Sequence, residues 1–361
     1  MILFSISLVL CLIIIVSSGY AFTRRSAFDQ VAVQSAHKGF VPRIGGLAIF
    51  ISVLSFIPLL NFGFIPLNVV LDLKIDEMIW LIISTFPVFL VGIAEDLGYE
   101  MHPKRRLLAS AISGFLVVII FQVWISKLGI LGIDYLLSFG LLGVIFTIFA
   151  TVGVVNAFNL IDGLNGLASY VTISTAITLS IISFKIGSTQ ITIFLILITA
   201  TSLGFLVLNF PLGKIFLGDG GAYFLGHLLV WSSIILINYE PSISSFAILL
   251  IFFWPVADTG LAIWRRWKLG NPTDRPDRLH FHQVAMRFLE IRFFGQDRRH
   301  VANPLATVIL IPFISVPQIF GVLFWNQFNI TFLITVCMAL LFTFSYFTAI
   351  KMAKKSHVLS Q

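Results

Sequence analysis

Eleven apolar runs, each close to the ~20 residues that cross hydrocarbon as a helix, divide this chain and leave little of it for anything else. They fall near 3–22, 44–60, 78–94, 107–125, 136–155, 165–184, 190–208, 222–238, 243–264, 305–325 and 329–350. Only 11% of the 361 residues are charged and the mean hydropathy is +1.01, whereas a soluble domain keeps roughly a quarter of its residues charged. Too few charges exist to cover a water-facing surface, so lipid must cover most of it. The expected fold class is all-α: a polytopic membrane protein with about eleven transmembrane helices, forming one integral membrane domain over residues 1–361.

The formal charge of +7 has a topological explanation rather than a nucleic-acid one. Of the 23 Lys and Arg, 20 fall in connections on one side of the predicted spans, and only Lys74, Lys127 and Lys185 on the other. Basic loops stay cytoplasmic, so the N-terminus is expected outside and the C-terminus in the cytoplasm. Residues 1–22 have no basic stretch before their apolar run, and Arg24-Arg25 follow it directly, which reads as an uncleaved first helix. Cys11 and Cys337 lie in apolar runs far apart, and neither a disulfide framework nor a zinc site follows from them.

The longest polar stretch runs from Arg265 to Asn303. Inside it Val284, Phe288 and Ile291 recur at helical spacing, which suits either a short helix in the membrane interface or a solvated loop with apolar contacts.

Polar residues of types uncommon in membrane spans gather at the inner ends of five odd-numbered helices. The clusters are Lys38 to Gly46; Glu95-Asp96 with Lys104-Arg105-Arg106; Asn156 to Gly166; Asn209-Phe210-Pro211 with Phe216 to Gly221; and Arg265-Arg266 with Pro276 to His282. Gly-rich turns at helix ends expose N–H groups that hold phosphate oxygens. Asp and Asn offer hard oxygen ligands, and Mg²⁺ needs few of these because water and substrate phosphates complete its shell. Lys and Arg balance polyphosphate charge. These are parts for phosphoryl transfer, in which positioning and charge stabilisation carry most of the catalysis.

Taken singly, each feature has an ordinary reading. Glu95-Asp96 could be solvated acids, His280 and His282 hydrogen-bonded loop residues, Phe216 a core or lipid-facing ring, and Lys104-Arg105-Arg106 a topology anchor. Co-location on one membrane face favours the chemical reading. Asp258, two turns inside the ninth predicted helix and ~10 Å from Arg265 at 1.5 Å per residue, is a functional candidate as a membrane-embedded acid, with no role assigned by the sequence.

Asn156-x-x-Asn159-x-x-Asp162-Gly163-x-Asn165-Gly166-Leu167, Phe216-x-Gly218-Asp219 and the Pro276–Gln283 segment resemble those of the polyprenyl-phosphate N-acetylhexosamine-1-phosphate transferases, and of their O-antigen-initiating branch most. The resemblance spans nearly the whole chain. It implies transfer of a sugar 1-phosphate from a UDP-N-acetylated sugar to undecaprenyl phosphate with release of UMP, at the cytoplasmic face of the bacterial inner membrane. It implies Mg²⁺, with Mn²⁺ as an alternative, held by Asp219 with Asn159 as second ligand or close neighbour. Glu95 and Asp96 would handle the lipid phosphate, and Asp162 would sit at the nucleotide diphosphate. Asn165, Asn209 and Phe216 would contact uridine, Phe216 by stacking. Asn156 and Gly163 would line the substrate, while Lys38, Arg278, His280 and His282 would hold phosphates or sugar, making the 265–303 loop part of the substrate site.

Three positions depart from the family pattern: Glu95 where Asp is common, Gln283 where some branches have a third His, and Ala222 where Ser is frequent. Partners beyond the substrates and membrane lipid would be further copies of the chain at most. The rival readings are an inactive scaffold for glycan enzymes and a transporter or flippase of lipid-linked intermediates. Transporters, however, place substrate near the bilayer midplane in paired halves, and no paired halves are visible here.

Overall fold

A computed structural model describes residues 6–14, 16, 41–61, 75–268, 270 and 279–358, and among these the regular elements are all helical. Residues 6–14 are helical. They are followed by α1 (Gly45–Asn61), α2 (Ile75–Ser84), α3 (Phe86–Asp96), α4 (Pro103–Phe121), α5 (Leu131–Ser138) and α6 (Gly140–Leu160). Next come α7 (Leu167–Lys185), α8 (Thr189–Asn209), α9 (Gly218–Tyr239), α10 (Ser245–Ile251), α11 (Phe253–Lys268), α12 (Phe281–Leu289), α13 (Arg299–Leu323) and α14 (Phe328–Val358). Each predicted apolar run is largely helical where it is described. Among the described residues six helices are each long and apolar enough to cross a membrane, and up to eight spans result if two bent pairs count as one span each. The chain is a multi-pass membrane protein.

α9 is the axis of the bundle. Of its apolar window 89% is buried, against 17% for α14, which faces outward. It packs on α1, α3, α6 and α7. Glycines permit this closeness: a Cβ on Gly46 would stand 2.3 Å from Gly221 Cα, and one on Gly92 would stand 2.5 Å from Gly220 Cα. Around these contacts the Phe50 ring stacks on Phe89 (centroids 4.2 Å) and meets Phe224 edge-on at 5.2 Å, joining α1, α3 and α9. The start of α1 is tied to the start of α9 by its own backbone: Gly45 N–H and Gly46 N–H donate to the carbonyls of Phe216 and Leu217, at 3.0 and 2.8 Å. Two otherwise orphaned helix N-terminal donors are satisfied in this way.

Two predicted spans bend by more than 40° at a break. The run predicted as one helix over 78–94 bends by 45° between α2 and α3, where Pro87 sits in the first turn of α3 and the next N–H, Val88, finds Ser113 Oγ at 3.1 Å. The ninth predicted span is not one helix: α10 and α11 are turned 83° to each other. Pro255 has no N–H for the Ile251 carbonyl four residues earlier, and its ring would clash there in a continuous helix. The freed carbonyl is taken by Gln318 Nε2 from α13 at 3.1 Å, as hydrocarbon requires. This turn carries Asp258 inward. In the polar stretch, a helix does form at α12, but it packs against α13 and α14 with Val284 and Leu289 buried. The helical alternative holds and the solvated loop does not, and the apolar contacts of Phe281 are the reason: it stacks on Trp254 at 5.4 Å and meets Phe342 edge-on at 5.2 Å.

Candidate active site

Gly218 opens α9 at φ +78°, and a Cβ there would meet Asp96 Oδ2 at 2.5 Å. Glycine thus allows the last residue of α3 to reach the start of α9. Asp96 Oδ1 accepts from Asp219 N–H at 2.9 Å and Oδ2 from Gly220 N–H at 3.0 Å. Leu217, the residue at the cap position, supplies no side-chain bond, so α9 is capped by an acid from another helix. The two members of the predicted acidic pair therefore do different things. Asp96 is buried with both oxygens engaged by backbone, whereas Glu95 pairs with Arg106 Nη1 at 3.1 Å.

Asp219 is the hub. Asn159 Nδ2, at the end of α6, donates to Asp219 Oδ1 at 2.6 Å. Glu95 stands beside the Asp219 carboxylate, and its own Oε2 is buried with no hydrogen-bond partner among the described residues. Asp162, partly buried in the turn after α6, feels the same carboxylate and receives the Gly218 N–H. Burial first, and then the Asp219 charge, push the Asp162 pKa up to about 7. Arg43 and Arg106 face this group, and Arg106 also bonds Tyr223, one turn beyond Asp219 on α9. Among the described residues, four carboxylates thus meet two guanidinium groups.

That imbalance suits a hard cation. Among the described residues no three His, Cys, Asp or Glu side chains are grouped to enclose one. An ion held by Asp219 and the Asn159 carbonyl oxygen alone would take water and substrate oxygens for the rest of its shell, which is the habit of Mg²⁺.

A second cluster adjoins the first across Gly163. A Cβ on Gly163 would lie 2.8 Å from His282 Nε2, so the glycine lets the ring reach the Asp162 turn. Asp258, buried in α11, accepts from Phe281 N–H through Oδ1 at 2.9 Å and meets His282 Nδ1 through Oδ2 at 3.2 Å. His280 Nδ1 lies 3.3 Å from the same oxygen. Burial holds the His282 pKa below its ordinary value, against the pull of Asp258.

The remaining predicted residues divide. Asn165 and Asn209 form a buried bracket: Asn165 Nδ2 donates to the Pro211 carbonyl (2.8 Å) and its N–H to Asn303 Oδ1 (2.8 Å). Asn209 Oδ1 receives Gly166 N–H (2.6 Å), and its Nδ2 donates to the Ile215 carbonyl (2.8 Å). These bonds hold the 162–166 turn against the 210–216 loop. Phe216 is half-buried on that loop, its N–H on the Pro42 carbonyl at 3.0 Å. Asn156 turns its amide to the Val152 carbonyl of its own helix and to Ser110 Oγ of α4, at 2.8 and 3.4 Å. Lys38 and Arg278 lie outside the described residues. Sequence reasoning missed Tyr223, Asn303 and the partner of Asp258. Tyr223 was reachable, since i and i+4 share a helix face. The other two depend on long-range packing.

Fold and site define a class: a multi-pass membrane protein with an oxygen-rich, phosphate-ready site where several helices end together. The description "Glycosyl transferase family 4" matches residues 78–237, a range that holds Glu95, Asp96, Asn159, Asp162 and Asp219. A probable undecaprenyl-phosphate N-acetylglucosaminyl 1-phosphate transferase of Bacillus subtilis (strain 168) is 30% identical over 268 residues, 73% of this chain and 70% of the relative. Undecaprenyl-phosphate alpha-N-acetylglucosaminyl 1-phosphate transferases of Escherichia coli (strain K12) and Salmonella typhimurium (strain LT2) are 25% and 26% identical, each over 72% of this chain and 69% of the relative. The chain belongs to this family, the polyprenyl-phosphate N-acetylhexosamine-1-phosphate transferases.

Proposed function

We propose that the protein transfers an N-acetylated sugar 1-phosphate from a UDP-sugar to undecaprenyl phosphate, giving a lipid diphosphate sugar and UMP, and so initiates a cell-surface polysaccharide such as O-antigen. The observation that carries the reading is the meeting of Glu95, Asn159, Asp162 and Asp219 at one end of the bundle. The names of the relatives supply the substrate class. With the basic loops inside, this end faces the cytoplasm of a bacterial inner membrane, where UDP-sugars are made.

In this reading a phosphate oxygen of the lipid attacks the β-phosphorus of the UDP-sugar, and the bond to the α-phosphate oxygen breaks as UMP leaves. Asp219 and Asn159 would hold Mg²⁺, which supplies charge stabilisation at the diphosphate. Asp96 keeps Asp219 at the start of α9. Glu95 and Asp162 flank the reacting phosphates, and Arg43 and Arg106 offset their charge. The bracket of Asn165 and Asn209 shapes the loop that presents Phe216 to uracil, and base stacking of this kind contributes ~1–3 kcal/mol. Lys38, Arg278, His280 and His282 complete the phosphate and sugar contacts.

The test is UMP release by detergent-solubilised protein given undecaprenyl phosphate, a panel of UDP-N-acetylhexosamines, and Mg²⁺, Mn²⁺ or neither. The expected result is UMP that needs both the lipid and the cation, from one preferred donor, and that falls at least 10³-fold in Asp219→Asn with membrane insertion intact. UMP release by Asp219→Asn at the wild-type rate would remove the assigned cation site. No UMP from any donor, with folded protein, would overturn the transferase reading.

A further inference from the structure

Asp258 is a buried carboxylate (2% exposed) on α11, outside the residues that match the family description. A buried acid persists only where donors surround it. Its hydrogen-bond partners here are one N–H at the start of α12, on Oδ1, and Nδ1 of His282, 3.2 Å from Oδ2, while His280 Nδ1 lies 3.3 Å from Oδ2 without a hydrogen bond. A carboxylate against Nδ1 leaves the proton there and bares the opposite nitrogen. On His282 that nitrogen, Nε2, is buried, has no hydrogen-bond partner among the described residues, and faces Gly163 beside Asp162. The ring itself is completely buried. An unprotonated Nε2 repels phosphate oxygen and accepts only from N–H or O–H.

We propose that Asp258 is a positioning residue: by holding Nδ1–H of His282 it keeps Nε2 a bare acceptor at Gly163, for a hydroxyl or the acetamido N–H of the donor sugar. The inference rests on the proposed transferase reading and narrows it, since it gives His282 to the sugar rather than to a phosphate. The 83° turn between α10 and α11 is then functional geometry, because it delivers Asp258 to the histidines.

Asp258→Asn separates the roles of the carboxylate. The Asn carbonyl still accepts from Phe281 N–H and keeps the cap, while its NH₂ must donate to Nδ1 and drive the proton to Nε2. ¹⁵N-histidine spectra without substrate, with His282 assigned by signal loss in His282→Gln, should show Nδ1–H in the wild type and Nε2–H in the variant. In kinetics, the KM for the UDP-sugar should rise at least tenfold. The KM for undecaprenyl phosphate and inhibition by UMP, which has no sugar, should change less than twofold. An unchanged donor KM, or an unchanged tautomer, overturns the proposal. So does a parallel weakening of donor, lipid and UMP together with lowered thermal stability, which would mark a purely structural residue. If Asp258→Asn does not fold, the wild-type spectrum decides, and Nε2–H on His282 there overturns the proposal. UMP release by the wild type tests the transferase reading separately, and the tautomer can be read whether or not that reading survives.

Discussion

At the scale of single residues, charge and burial assign distinct work to acids that look alike in sequence. Glu95 and Asp96 are neighbours in the chain, yet one faces Arg106 and the other caps α9. The motif announces two carboxylates, but only tertiary structure reveals that a glycine at 218 lets one of them reach a backbone. Asp162 gives a pH prediction. Its pKa rises from an ordinary ~3.9 to about 7, so the folded state holds the proton more tightly than the unfolded chain. Stability from this group is fully present below the unfolded value and is lost as pH climbs through about 7. Cation-free protein should therefore melt several degrees lower at pH 8 than at pH 5. Asp162→Asn should flatten that decline, and Mg²⁺ should restore the wild type at pH 8. An identical decline in both proteins, measured by thermal unfolding in detergent, would contradict the assignment.

At the scale of elements, the apolar runs were legible because hydrocarbon demands continuous helix of known length. The breaks were not read, although Pro87 and Pro255 were visible, because proline in a membrane helix is tolerated wherever a neighbour takes the freed carbonyl. For Ile251 that neighbour is Gln318, 67 residues away. The α9 start makes the strongest stability prediction. Gly218→Ala adds a Cβ 2.5 Å from the Asp96 carboxylate at a φ of +78°. Left-handed strain alone costs ~1–2 kcal/mol, and the displaced cap adds to it. Melting should drop by several degrees and turnover should be lost with it. Gly153→Ala, where a Cβ on α6 meets nothing within 4 Å, should leave melting unchanged. Equal behaviour of the two variants would show that the α3–α9 junction is not the constrained point described.

At the scale of the whole molecule, α9 is wrapped by α1, α3, α6 and α7, and the ends of these helices converge as the clusters in the sequence imply. That these clusters meet was readable from their place at the ends of predicted helices. Which side chains touch was not, since Asn165 and Asn209 are typical ligand residues by type but are engaged in holding two loops together. The central claim is that a sugar 1-phosphate, and not the sugar alone, moves to the lipid. It is tested most directly with a UDP-sugar carrying ³²P at the β position, undecaprenyl phosphate and Mg²⁺, followed by separation of lipid from nucleotide. The account predicts ³²P in the lipid fraction and unlabelled UMP in water. Label retained in the nucleotide as UDP, with sugar on the lipid, would contradict it.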